Sequence, residues 1–276
     1  MFSMLGAGAV SAVVGAIIYA NLPTRLTIGG VVPTVEYLAK ANLKLIERGK
    51  GDAAIFEGKN VLRLRSFTIK KLLKKRIWLQ CRKISPAPPL GLPKKILATG
   101  LLGCPLFFVF FSQINFSLQN FLQAEEIFNA NPTLVMAVRR PGCSFCRKEA
   151  SQICSLSKQL EEKGVKVIGV VHETGGVEEF RPFLGCSDAL YFDPEKKFFG
   201  PEQRWLPFWM GFLRLSTYIN TYKTKKAGFV GNLEGEGRLL GGIYLINKDK
   251  MLFAHLEKEW GDEPETQQLL DALNAI

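Results

Sequence analysis

Two cysteines three positions apart, Cys143 and Cys146, fall at a seam in TLVMAVRRPGCSFCRKEA (residues 133–150), where an apolar run of strand length gives way to a helical pattern. The run at 133–138 reads as a strand buried on both faces, and Ala150, Ile153, Leu156 and Leu160 then recur at helical spacing. A buried strand feeding a helix needs partners beside it. Residues 165–171 (VKVIGVV) supply one, and strand, helix and strand at this spacing imply a parallel crossover. A short helix at 178–184, a third strand at 189–192, a hairpin from 239–246 and 251–256 turning around 247–250, and a last helix at 264–275 complete a compact α/β domain.

A CxxC pair alone fits a redox site, half of a zinc site or two inert thiols. Its position at the strand-to-helix junction favours redox chemistry. Cys143 falls near the helix N-cap, where free N–H groups and the helix dipole stabilise a thiolate, and Arg139, Arg140 and Arg147 add positive charge. Cys146 lies one turn on along the same face, placed to resolve an oxidised Cys143. A zinc site needs two further ligands, and Cys154, Cys186, His172 and His255 form no second close pair, so neither metal nor cofactor is expected. Cys154 and Cys186 read as small buried residues, and the histidines as structural. Six cysteines in 276 residues are too few for a disulfide scaffold and suit a reducing compartment.

The formal charge of +11 comes from one segment. Residues 58–124 carry twelve basic residues and no acidic one, while elsewhere 24 basic residues face 25 acidic ones. No nucleic-acid partner is therefore expected of the domain itself. The segment runs from a basic arm through SPAPPLGLP into the apolar LLGCPLFFVFF. One reading is an arm followed by a membrane segment at 96–111. The favoured reading is a retained intron: Gly58-Lys59 can be encoded with a splice-donor consensus, the Phe, Leu and Ser codons at 105–122 are pyrimidine-rich, and Gln123-Ala124 can supply an acceptor AG. The chain thus divides into an apolar N-terminal segment (1–24), an amphipathic helix and link (25–57), the insert (58–124) and the redox domain (125–276).

Residues 1–24 hold no charge, and their length matches the roughly 20 residues that cross a bilayer. A membrane anchor or membrane-associated helix, a cleaved signal and a packed apolar helix all stay open. Residues 34–48 read as an amphipathic helix with Tyr37, Leu38, Leu45 and Ile46 apolar. Trp205, Phe208, Trp209, Phe212 and Leu215 form a helical stripe that reads first as core, with a ligand wall or membrane contact as alternatives. The glycine-rich GNLEGEGRLLGG (231–242) could let backbone approach the dithiol, with Glu234 and Glu236 near a proton; a tight loop feeding the hairpin is the plainer reading.

MAVRRPGCSFCRKEA, together with DPEKKFFGP (193–201), MGFLRL (210–215) and GNLEGEGRLLGG, resembles the peroxiredoxin-like 2 family. Members pass from the first helix to the strand through an FxAxELW-like link, which Phe56-Glu57 joined to Ala124-Glu125-Glu126-Ile127-Phe128 would restore. The resemblance implies a thioredoxin-like (peroxiredoxin-like) α/β fold, a mainly cytoplasmic location and antioxidant, redox-regulatory activity with Cys143 and Cys146 as the redox-active pair. An external thiol reductant of thioredoxin or glutathione type and an oxidised small-molecule or protein substrate are the implied partners. A sister branch reduces prostaglandin or prostamide endoperoxides, which supplies an enzymatic alternative; a membrane-tethered sensor without turnover is another. The chain lacks the PxxxTxxC arrangement of true peroxiredoxins, with only Pro141 near the cysteine, and GRLLGG stands where thioredoxins approach the dithiol with a cis-proline.

Overall fold

The structure, a computed structural model, describes residues 2–25, 27–49, 121–187 and 189–276, with side-chain surroundings from residue 10 onward. The basic arm, the 96–111 segment and the bulk of the retained-intron reading lie outside the described residues. Elements follow in the order α1 (Phe2–Asn21), α2 (Val35–Ala39), β1 (Asn42–Leu45), β2 (Phe121–Gln123), α3 (Ala124–Ala130), β3 (Thr133–Val138), α4 (Ser144–Ser155), α5 (Ser157–Glu162), β4 (Lys166–Val171), α6 (Val177–Phe180) with a 3₁₀ turn (Arg181–Leu184), and β5 (Ala189–Phe192). After a second 3₁₀ turn (Lys197–Phe199) come α7 (Phe208–Leu213), α8 (Leu215–Lys226), the hairpin β6 (Gly242–Asn247) and β7 (Lys250–Leu256), and α9 (Thr266–Asn274).

The strands form one sheet in the order β2-β1-β5-β4-β3-β6-β7. β3 pairs parallel with β4, Thr133 opposite Lys166 and Val138 opposite Val171, and antiparallel with β6. β4 pairs parallel with β5. All six residues of β3 are buried because the sheet is covered on both faces. Alternation sorts them: Leu134, Met136 and Val138 join Ala150 and Ile153 of α4 and Leu269 and Leu273 of α9. Val135 and Ala137 point the other way, toward Leu43, Phe128, Phe198 and Tyr244. This interior strand, with β4 parallel on one side and β6 antiparallel on the other, and the helix entering directly after it make the fold thioredoxin-like.

Three local expectations are corrected. The helix expected over 34–48 stops at Ala39, and Asn42–Leu45 is instead a strand antiparallel to β5, with Lys44 opposite Phe192. KANLKL carries a period of two beneath its helical pattern, and Ala41 and Leu43 are fully buried; strand pairing overrides helix propensity there. The aromatic stripe is mostly not core: Phe208, Trp209, Phe212 and Leu215 are 47% to 66% exposed. Cys154 and Cys186 are joined in a disulfide that fastens the far part of α4 to the loop after the first 3₁₀ turn.

That bond closes a loop across a sequence separation of 32 residues. Its loss through the double change Cys154→Ser and Cys186→Ser should lower the unfolding free energy by about 3 kcal/mol in denaturant titrations without reductant. Wild type in excess dithiothreitol should match the variant, and equal stability of oxidised wild type and variant would show that the bond is not formed.

Candidate active site

β3 runs into the loop 139–143, whose turn is closed by the Cys143 N–H donating to the Arg140 carbonyl at 3.0 Å. Cys143 has extended backbone (φ −79°, ψ 128°) and is the N-cap of α4, and its carbonyl accepts the first helical bond from the Arg147 N–H. The seam seen in the sequence is thus a strand-to-helix turn with the sulfur at the positive end of a three-turn helix. Cys143 and Cys146 are free thiols, buried in the same apolar cluster at 3% and 1% exposure.

The three arginines divide the work. Arg139 is itself buried and donates to Cys143 Sγ at 3.0 Å. Its other groups reach the Gly237 carbonyl at 2.9 Å and the Glu257 carboxylate at 3.4 Å, and the guanidinium lies 5.9 Å from the ring centres of both Phe145 and Trp260. Arg140 donates to the Asn232 carbonyl at 2.8 Å. Arg147 reaches the Pro141 and Val230 carbonyls at 3.3 and 2.9 Å, pairs with Glu179 at 3.0 Å and lies over the Phe183 ring. Arg139 alone among the three touches the sulfur; Arg140 and Arg147 hold loops around it.

The glycine-rich loop does approach the dithiol. The Asn232 N–H donates to the Gly142 carbonyl at 2.8 Å. A Cβ on Gly231 would fall 2.5 Å from Ser144 N and 2.7 Å from Gly142 O, so only glycine lets the loop lie over the start of α4. Glu236 is held by Arg238 at 2.6 Å and Glu234 is exposed, so neither is the acid at the site. That acid is Glu257, fixed by the Gly241 N–H at 2.7 Å. Glu149 lies buried one turn beyond Cys146 on α4. Sequence reasoning missed both. Glu149 had a usable signal, its i+3 spacing from Cys146 on the inward face; Glu257 is brought in by the hairpin alone.

Electrostatics separate the two thiols. A hydrogen bond from the Cys146 thiol, against the cost of burial and helped by Arg139 and Arg140, holds the Cys143 pKa well below the ordinary cysteine value. Donating that bond, and burial, push Cys146 well above it. Burial disfavours the Arg139 charge, but the Cys143 thiolate and Glu257 more than offset this and keep it protonated. Burial, with Glu257 and Glu263 nearby, raises the Glu149 pKa well above its ordinary value. His172 bonds through Nε2 to the Arg139 carbonyl at 2.8 Å, and burial pushes its pKa down to about 4. His255 sits apart, 3.6 Å from Asp262. Among the described residues no cluster of metal-ligating side chains occurs.

The thioredoxin-like sheet thus carries two free cysteines at the start of the helix that follows an interior strand. A family model described as AhpC/TSA antioxidant enzyme matches residues 152–259, beginning beyond Cys146. Among curated proteins, peroxiredoxin-like 2A of Mus musculus is 42% identical over 158 residues, 56% of this chain and 71% of that protein. The Homo sapiens protein of that name is 40% identical over 158 residues, 56% of this chain and 68% of its own length. Peroxidoxin BcpB from Mycobacterium tuberculosis has a solved structure with a TM-score of 0.37 at 16% identity, covering 56% of this chain and 86% of that one. The chain belongs to the peroxiredoxin-like 2 family. Family and fold support a thiol-dependent antioxidant role.

Two outcomes follow for the site. Replacing Arg139 by Met should raise the Cys143 pKa, read as an upward shift in the midpoint of alkylation rate against pH with Cys143 followed by mass; an unchanged midpoint would remove Arg139 from thiolate stabilisation. His172 has a folded pKa below its ordinary 6.5, so its contribution to stability is complete above 6.5 and is lost as pH falls toward about 4. The stability difference between wild type and His172→Gln should therefore shrink over that window in denaturant titrations, and a flat difference would contradict the buried neutral imidazole.

Proposed function

We propose that the protein is a thiol-dependent oxidoreductase of antioxidant type, with Cys143 as nucleophile and Cys146 as resolving thiol. The observation that carries this reading is the buried Arg139 guanidinium 3.0 Å from the sulfur of an N-cap cysteine, with a protonated partner thiol one turn away. On a peroxide ROOH, the Cys143 thiolate attacks one oxygen and the O–O bond breaks. Cys143 becomes a sulfenic acid, and the departing alkoxide takes a proton to leave as ROH. The Cys146 sulfur then attacks that of Cys143, its proton leaving with the hydroxyl as water, and the disulfide forms. An external thiol reductant, one dithiol of thioredoxin type or two thiols of glutathione type, supplies the two electrons and two protons that restore both thiols. An oxidised protein substrate would follow the same course through a mixed disulfide.

A second substrate class has its own support. Phe208 and Phe212 pack edge-on against Trp260 at 6.2 and 5.6 Å, and Trp260 lies against Arg139, so an aromatic wall leads from the surface toward the thiols. An apolar endoperoxide could lie along such a wall, its O–O bond reduced to two hydroxyls as the dithiol becomes a disulfide.

Steady-state consumption of a thioredoxin-type reductant, with a hydroperoxide or an endoperoxide as acceptor, tests the reading. Wild type should turn over, Cys143→Ser should lose at least about a hundredfold in rate, and Cys146→Ser should take one equivalent of oxidant and stall. Stoichiometric oxidation of wild type without turnover would make the protein a sensor, and full activity of Cys143→Ser would reject the assignment.

A further inference from the structure

α8 is built inside out. Its residues Thr217, Asn220, Thr221 and Thr224, at spacings i, i+3, i+4 and i+7, face inward, with Thr217 and Thr224 buried at 7% and 1% exposure. Their hydroxyl oxygens find no hydrogen-bond donor or acceptor beyond a bond from Thr221 to the Thr217 carbonyl. The apolar residues Leu215, Tyr218, Ile219 and Tyr222 repeat the same spacing on the opposite face and are 55% to 67% exposed. An amphipathic helix on a protein core has the reverse arrangement.

The exposed face is continuous with others. α7 adds Phe208, Trp209 and Phe212, each about half exposed. The end of α1 is tied to the same place: Tyr19 stacks on Trp209 at 6.1 Å, and the Asn21 side chain donates to the Leu213 carbonyl and accepts from the Leu215 N–H. α1 then extends the apolar surface with exposed Val10, Val13, Val14, Ile17 and Ile18. The α7–α8 segment itself carries only positive charge, with Glu259, Asp262 and Glu263 beside Lys223 in the adjoining cleft. From Gln203 to Leu233 the sequence holds no Asp or Glu, and α8 ends in the exposed Lys223, Lys225 and Lys226.

We propose that the α7–α8 face, with the end of α1, is a membrane-surface contact that lays these helices in the headgroup region of a bilayer containing anionic phospholipid. Tryptophan and tyrosine present an apolar body and a polar tip, which suits that boundary, and lysines at the end of the apolar stripe meet phosphate and carboxylate headgroups. An apolar medium outside also explains why the apolar side of α8 faces outward while its hydroxyl side is buried. No described helix is long and apolar enough to cross a membrane, and an in-plane contact needs none. The contact uses no atom of the dithiol, and of the aromatic wall it shares only Phe208 and Phe212.

The full chain is mixed with phosphatidylcholine vesicles, with and without phosphatidylserine, and followed by sedimentation and hydrogen exchange. Binding should require phosphatidylserine, and amides of residues 208–226 should gain protection. Tyr218→Ser, Ile219→Ser and Tyr222→Ser together should weaken binding at least tenfold, and Lys223→Gln, Lys225→Gln and Lys226→Gln together by roughly a hundredfold. Both variants should keep the wild-type circular dichroism and Cys143 alkylation rate, since the altered side chains are all on the surface. Vesicle binding without protection at 208–226, or unchanged by the α8 variants, would place the contact elsewhere in the chain and overturn the proposal. So would a wild-type dimer that the tyrosine variant dissociates and that shows no lipid binding, which would make the face a protein interface.

Discussion

A buried guanidinium needs negative charge around it, and the site is organised by how Arg139 is satisfied. Left uncompensated, its charge would cost several kcal/mol. Three elements meet its needs: the Cys143 sulfur at the start of α4, the Glu257 carboxylate at the end of β7, and the Gly237 carbonyl in the glycine-rich loop. The arrangement is reciprocal. The thiolate that Arg139 stabilises is also the anion that makes Arg139 tolerable in the interior, so folding itself favours the reactive form of Cys143. Cys146, donating its proton toward that sulfur, is kept in the opposite state. The Cys146 hydrogen bond and the buried cation together push the pKa values of two chemically identical side chains in opposite directions.

The remaining parts of the neighbourhood keep this pair in place. Arg147 ties the turn before α4 to Val230 and Glu179, and the loop through Gly231 lies directly on the helix start. The Cys154–Cys186 disulfide clamps the other end of α4 to the segment after α6 that also carries Phe183, the ring beneath Arg147. α4 is thus fixed at both ends by contacts that use none of the reactive atoms, and the geometry at Cys143 does not depend on the helix alone.

Much of this could be read from local pattern. β3, the crossover to β4, the hairpin and the placement of Cys143 at a helix start are encoded in runs a few residues long, while the close approach of the glycine-rich stretch was one of two readings its glycines allowed. What escaped was tertiary. Asn42–Leu45 becomes a strand because β5 offers an edge. Cys154 and Cys186 pair across 32 residues of sequence, and no spacing rule announces such a bond. Glu257 reaches Arg139 only once the hairpin forms. The aromatic stripe was visible as a stripe, but periodicity cannot say which side of an amphipathic helix faces the core, and here Phe208, Trp209 and Phe212 of α7 are about half exposed.

The division of labour between the two thiols can be observed without any substrate preference being known. Wild-type protein, reduced at the dithiol and treated with one equivalent of hydrogen peroxide, is digested without reduction and its cysteine peptides are mapped by mass spectrometry. A disulfide between Cys143 and Cys146 is expected in wild type, and a sulfenic acid confined to Cys143 in Cys146→Ser. Oxidation that falls first on Cys146, or leaves both thiols free while the oxidant is consumed elsewhere, would contradict an arginine-stabilised nucleophile at position 143.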